Sequence, residues 1–241
     1  MVEQIIGLLF LVFIVITCFF FFLGALAIWA ITVLFDSKLR ILHYYSCFWA
    51  SVYVWIMPAW RVKHEGKEHI RKKTYVIVSN HQSLLDILVI FGQFFPFKWV
   101  SKAEIFRLPF IGWNMKLNKY VGVKRGDRGS IGEMMKESEA HLLQGSSVYF
   151  FPEGTRSIDG SLKSFKSGAF TLAKKLQVPI LPIVITGTTN ALPKHSLKFH
   201  GRHDILIKVL PEISPEKYSE MTEYELTQHT HALIGDHIPS Q

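Results

Sequence analysis

A histidine and an aspartate stand five residues apart in "VIVSNHQSLLD", residues 76–86, as the chain leaves a run of apolar residues. An imidazole, with an ordinary pKa of about 6.5, exchanges a proton near neutral pH, and a neighbouring carboxylate can fix its tautomer and stabilise the imidazolium. On a continuous α-helix, residues five apart point about 140° away from each other. His81 and Asp86 therefore meet only if the backbone changes type between them, with His81 in a turn and Asp86 on the helix that follows. The spacing has a second use, because Ser83 and Asp86 stand at the interval of a capping box, where Asp86 would accept a backbone N–H. Taken alone, the stretch allows base chemistry, capping, or both at once. Ser83 is the weaker candidate for a nucleophile, since it lacks the GxSxG setting of a nucleophile elbow.

A second group lies in "FFPEGTRS", residues 150–157. Glu153, Gly154, Thr155 and Arg156 place backbone N–H groups, a hydroxyl and a guanidinium in one turn, the parts of a phosphate cradle, and arginine can grip phosphate with two parallel hydrogen bonds. The alternative is an ordinary polar turn with a solvated arginine. Lys102, after "FKWV", and Arg125, in "VGVKRGDR", are further basic residues that follow strand-like runs.

Such groups converge only if strand ends bring them together. Short apolar runs recur at 74–79, 97–101, 147–151, 179–186 and 204–210, and each reads as a largely buried strand. Helix patterns lie between them. Residues 130–145 open with Ser130 three before Glu133, a capping-box spacing, and close on Gly145; residues 168–177 form another helix, ended before Pro179. This alternation predicts an α/β fold, a single domain with a helix-covered central β-sheet. The aromatic stretch "FGQFFPFKWV", residues 91–100, reads as sheet core, with the lining of an apolar tunnel or bilayer contact as its other uses.

The N-terminal part has a different texture. From Ile5 to Phe35 there are 31 residues without a charge, and about 20 suffice to span a bilayer. With only Glu3 charged before it, this run reads as a retained membrane helix and not a basic-flanked secretory signal. Lys38 and Arg40 follow, which places the rest of the chain on the cytoplasmic side, the inner membrane in a bacterium. Residues 41–60 carry seven aromatics among twenty and no charge; they read as an interfacial helix, with a second span as the rival. The expected division is a membrane anchor over 1–60 and a catalytic domain over 61–241.

Lys and Arg number 27 against 19 Asp and Glu, so the surface favours anionic partners. Nucleic acid is excluded, because the excess charge is dispersed and the aromatics concentrate in apolar segments. Cys18 and Cys47 form neither a metal-ligand spacing nor a disulfide framework, so no metal is expected.

In combination, NHQSLLD, "KAEIFRLPFIGWNMKLNKYVGVKR" (102–125), FPEGTRS and VPILPIV (178–184) resemble the ordered blocks of the glycerolipid acyltransferase family, nearest the bacterial-type 1-acylglycerol-3-phosphate acyltransferases. The resemblance covers about residues 60–210. It implies that His81 and Asp86 are the catalytic pair, and that Lys102, Arg125, Glu153, Gly154, Thr155 and Arg156 bind the acceptor's phosphate. Pro182, in the fourth block, takes a structural or acyl-related role. The implied reaction moves an acyl group from acyl-CoA or acyl carrier protein to a lysophospholipid hydroxyl, with no cofactor beyond that co-substrate and with membrane lipids as partners. Backbone N–H groups near the start of the helix after His81 are the expected oxyanion donors. Other acceptors, a hydrolase, and an anionic-lipid-binding protein without turnover are the competing readings.

Overall fold

The computed structural model describes residues 2–157, 160–191 and 202–239; Met1, Ser240 and Gln241, the outer ends of the two expected segments, lie outside them. Helix α1 (Val2–Thr32) is long and apolar enough to cross a membrane over Val12–Thr32, and Ile16, Phe20, Leu23 and Ile31 are bare on its surface. Its later turns lie along α2 (Arg40–Trp55), where Phe21 stacks on Trp49 with ring centroids 5.5 Å apart. One face of α2 carries Cys47, Ala50 and Val54 into the domain core, while Ile41, Tyr44, Phe48 and Trp55 face outward. At 16 residues, α2 is shorter than the about 20 that a full span needs.

A seven-stranded sheet follows, built from β1 (Trp60–Glu65), β2 (Val76–Ser79), β3 (Phe97–Lys102), β4 (Val121–Val123), β5 (Ser147–Phe150), β6 (Ile180–Thr186) and β7 (His203–Val209) in the order β1-β7-β6-β2-β5-β3-β4. Only β6 and β7 pair antiparallel. The central strands β2 and β5 are buried along their whole length, as parallel strands covered on both faces must be. The five expected strands are all present. The two that sequence pattern missed, β1 and β4, are the edges: "WRVKHE" alternates with charges because one side faces solvent, and "VGV" is too short to make a run.

Helices α3 (Leu85–Phe91) and α4 (Ile111–Leu117) lie on the same side of the molecule as α2; α5 (Arg128–Leu143), α6 (Gly168–Leu176), α8 (Pro215–Tyr218) and α9 (Glu223–Gly235) cover the other side, and the short α7 (Thr188–Ala191) follows β6. Ser130 does not cap α5. The helix starts a turn earlier, at Asp127, whose side chain accepts the Ser130 N–H at 3.1 Å, and the Ser130 hydroxyl accepts the Lys124 N–H. Because β2, β3 and β5 run parallel, their carboxyl ends open on one side of the sheet, where an α/β sheet places its ligands.

Candidate active site

At the end of β2 the Asn80 side chain takes over from the backbone, donating to Ile185 O (2.7 Å) and accepting the Ile185 N–H (2.8 Å). The β2–β6 ladder is thereby extended by one residue while the chain is freed to turn. His81 occupies that turn with both of its peptide groups tied to the 153–157 loop: its N–H donates to Glu153 Oε1 at 2.7 Å, and its carbonyl accepts the Ser157 N–H at 2.8 Å. The His81 ring stacks on Phe151 at 3.9 Å and 17°. Nδ1 lies 2.8 Å from Asp86 Oδ2, leaving Nε2 as the nitrogen available to a substrate.

Asp86 is fully buried in the first turn of α3. Besides the imidazole, its Oδ2 accepts the N–H groups of Gln82 (2.7 Å) and Ser83 (2.9 Å), and Oδ1 accepts the Thr188 hydroxyl at 2.5 Å. The same carboxylate therefore holds both the turn that leads into α3 and the imidazole ring. At the helix start the N–H groups of Gln82 and Ser83 bind Asp86, and that of Leu85 meets Ser83 Oγ at 3.3 Å.

A cavity of about 400 Å³ opens beside His81. Lys102, Arg125, Gly154 and Arg156 line it together with Lys166, and its apolar wall includes Trp49, Leu84, Ile87, Phe91, Trp99 and Met115. The aromatic stretch thus divides its duties, with Phe95 and Phe97 in the core and Phe91 and Trp99 reaching the cavity. The Lys102 ammonium is within 3.4 Å of Glu104 at the exposed rim, and Lys163 Nζ holds the Arg156 carbonyl at 3.0 Å.

Two of the expected phosphate ligands sit elsewhere. Glu153 turns inward, 5% exposed, and its second oxygen accepts the Lys163 N–H at 3.2 Å. Burial pushes its carboxyl up to about 7, although the backbone donors of His81 and Lys163 pull the other way. This inward carboxylate, bonded to two backbone amides, shapes the loop. Thr155 is exposed and is not part of the cavity wall. Gly154 has φ +70°, and a Cβ there would lie 2.9 Å from Lys166 Nζ, so the glycine admits the lysine. Sequence reasoning missed Lys166, Phe151 as the ring under His81, and Thr188. Pro182 lies in β6 beside Val78, with its carbonyl accepting the Leu210 N–H.

The acyltransferase family model matches residues 61–186. A chloroplastic 1-acyl-sn-glycerol-3-phosphate acyltransferase of Arabidopsis thaliana is 41% identical over 72% of this chain and 50% of its own length. The 1-acyl-sn-glycerol-3-phosphate acyltransferase of Pseudomonas aeruginosa is 30% identical over 78% of this chain and 74% of its own. This chain spans about half the length of the first curated relatives it matches. Among solved structures, the 1-acyl-sn-glycerophosphate acyltransferase of Thermotoga maritima has the same fold, with a TM-score of 0.76 at 24% identity, covering 97% of this chain and 95% of that one.

Proposed function

The chain belongs to the acyltransferase family, and on that premise we propose that it transfers an acyl group from a thioester to the sn-2 hydroxyl of 1-acyl-sn-glycerol 3-phosphate, giving phosphatidic acid. One observation carries the reading: an imidazole locked by a buried carboxylate opens into a cavity that is cationic at one part of its wall and apolar at another. The names of the relatives support the choice of acceptor.

In this mechanism His81 Nε2 takes the proton of the acceptor hydroxyl as its oxygen attacks the thioester carbonyl. Asp86 holds the ring and stabilises the imidazolium. Collapse of the tetrahedral adduct breaks the carbon–sulfur bond, and the proton passes from His81 to the departing thiolate. The base supplies about 10²–10⁴ in rate, and positioning by the phosphate group supplies more. Arg156, Arg125, Lys102 and Lys166 hold the phosphate, with Gly154 giving backbone clearance, and the apolar wall receives acyl chains. The thioester, of coenzyme A or of acyl carrier protein, brings its own activation, so the scheme calls on no cofactor or metal. Residues 1–60 act as the anchor and 61–241 as the catalytic part, on the cytoplasmic face beside Lys38 and Arg40, at the inner membrane if the cell is bacterial.

The test is incubation of the purified full chain with lysophosphatidate and labelled acyl-CoA or acyl carrier protein, beside His81→Ala. Labelled phosphatidate from the wild type and none from a folded mutant is the expected result. Equal product from both would remove His81 from the chemistry, and no transfer with either donor would remove the activity.

A further inference from the structure

A second cavity, about 670 Å³, lies at the other end of the strands. Its wall includes Thr74 before β2, Phe97 at the start of β3 and Ser147 at the start of β5, whereas the cavity beside His81 takes residues from the carboxyl-terminal parts of those strands and just after them. Strands of four to six residues, rising about 3.3 Å each, separate the two by roughly 13–20 Å.

The charge of this second cavity is one-sided. Lys38, Arg40, Arg71, Lys72, Lys73 and Lys98 line it, and among the described residues no carboxylate does. Their local partners account for only part of that charge. Lys98 is buried, its ammonium donating to the carbonyls of Lys38 (2.9 Å) and Asn118 (2.8 Å), and Lys73 pairs with Glu212 at 2.5 Å. Asp36, beside Lys38, uses its carboxylate to accept the Ile41 N–H at 2.7 Å. Arg40, Arg71 and Lys72 are exposed and form no ion pair with the described residues. Six cations drawn from three segments repel one another, a repulsion that an anion among them relieves.

The surroundings identify the anion's source. The segment that supplies Lys38 and Arg40 also carries Ile31, Leu34, Phe35 and Ile41, all bare, with Leu34 93% exposed. Apolar side chains of that size next to a cationic recess fit acyl chains beside a headgroup, where basic residues gain from anionic lipid.

We propose that this cavity is a second lipid site, which holds the phosphate headgroup of an anionic bilayer phospholipid while Leu34 and Phe35 lie against its chains. It takes no part in the acyl transfer and does not depend on that reading.

The full chain in neutral detergent is titrated with dioctanoyl phosphatidylglycerol, and bound lipid is counted by native mass spectrometry. Dioctanoyl phosphatidylcholine and inorganic phosphate serve as parallel probes. The doubly substituted Arg40→Gln, Lys72→Gln chain is expected to lose affinity for the anionic lipid by about tenfold or more, whereas Arg156→Gln keeps it. Phosphatidylcholine binds more weakly than phosphatidylglycerol, and a tenfold excess of inorganic phosphate leaves the lipid in place. Unchanged binding by the double variant overturns the proposal, as does loss of the lipid in Arg156→Gln, which would place it in the catalytic cavity. Equal binding of phosphatidylcholine, or displacement by inorganic phosphate, also overturns it, the latter in favour of a soluble anion. An unchanged unfolding temperature of the double variant separates a lost site from a lost fold.

Discussion

Asp86→Asn separates support of the turn before α3 from chemistry at a residue that makes the first set of contacts and is proposed to serve the second. The amide replaces the carboxylate atom for atom, and its orientation is dictated by what surrounds it. Three donors converge on Oδ2, those of His81, Gln82 and Ser83, so the amide oxygen must take that place. The amide nitrogen then faces Thr188, whose hydroxyl can accept from it instead of donating as it does to the carboxylate. All four hydrogen bonds survive, and only the charge is lost. Hydrogen bonds to a charged group are worth about 1.5–3 kcal/mol and neutral ones about 0.5–1.5. Since partners relax together, a net loss of about 1–3 kcal/mol is expected, a fall in Tm of roughly 2–12 °C for a chain of this size. The protein stays folded. In the proposed mechanism catalysis suffers more, because the imidazolium formed during attack would lose its counter-charge, and kcat should fall by about 10²–10⁴. Initial rates of phosphatidate formation, with calorimetry on the same preparation, provide the comparison. An Asp86→Asn protein within threefold of wild-type kcat would refute the reasoning and leave Asp86 only the turn it holds.

Thr188→Val keeps the shape of the side chain but leaves Asp86 Oδ1 buried without its donor; about 1–3 kcal/mol of stability should be lost in denaturant titrations, with kcat reduced less than in Asp86→Asn because Oδ2 still holds the ring. Glu153 has its folded value raised to about 7 from 4.5, so its contribution to stability is complete below pH 4.5 and is lost as pH rises through 7. Glu153→Gln should flatten that part of the stability–pH curve, while costing one hydrogen bond where its amide meets the Lys163 N–H; an unchanged slope would show that the carboxyl titrates normally. Gly154→Ala forces a left-handed backbone, at about 1–2 kcal/mol, and displaces Lys166, so KM for the phosphorylated acceptor should rise severalfold in steady-state assays, with kcat changed less.

The parts of this design that sequence made legible are those set by short-range pattern. His81 and Asp86 are five residues apart, and their spacing already required the turn-to-helix change that the structure contains. The central strands were legible because burial on both faces leaves continuous apolar runs. Thr188 was not, since it reaches Asp86 from 102 residues away and nothing in "TGTTNA" marks a hydroxyl aimed at a buried carboxylate. Glu153 was misplaced for a related reason. The residue types in "PEGTR" suit an exposed anion-binding turn, but which of them points inward depends on the path of the whole loop. Lys166 belongs to the same class, brought back to the cavity past a glycine. Ser130 carried the right spacing for a cap, but Asp127 one turn earlier offered a carboxylate to the same helix start.

The two hydrogen bonds that clamp the peptide groups of His81 to Glu153 and Ser157 bracket Gly154 and Arg156. The proposed base and the proposed phosphate loop consequently share one mechanical unit, and a force on either is felt by both. Binding free energy released when phosphate settles on the loop can be spent on seating the imidazole, and by thermodynamic reciprocity a correctly seated imidazole tightens the loop around phosphate. In the proposed reaction, recognition of the acceptor's headgroup and readiness to deprotonate its hydroxyl then become a single coupled equilibrium, so that a lipid lacking the phosphate would meet a less organised base as well as a weaker grip.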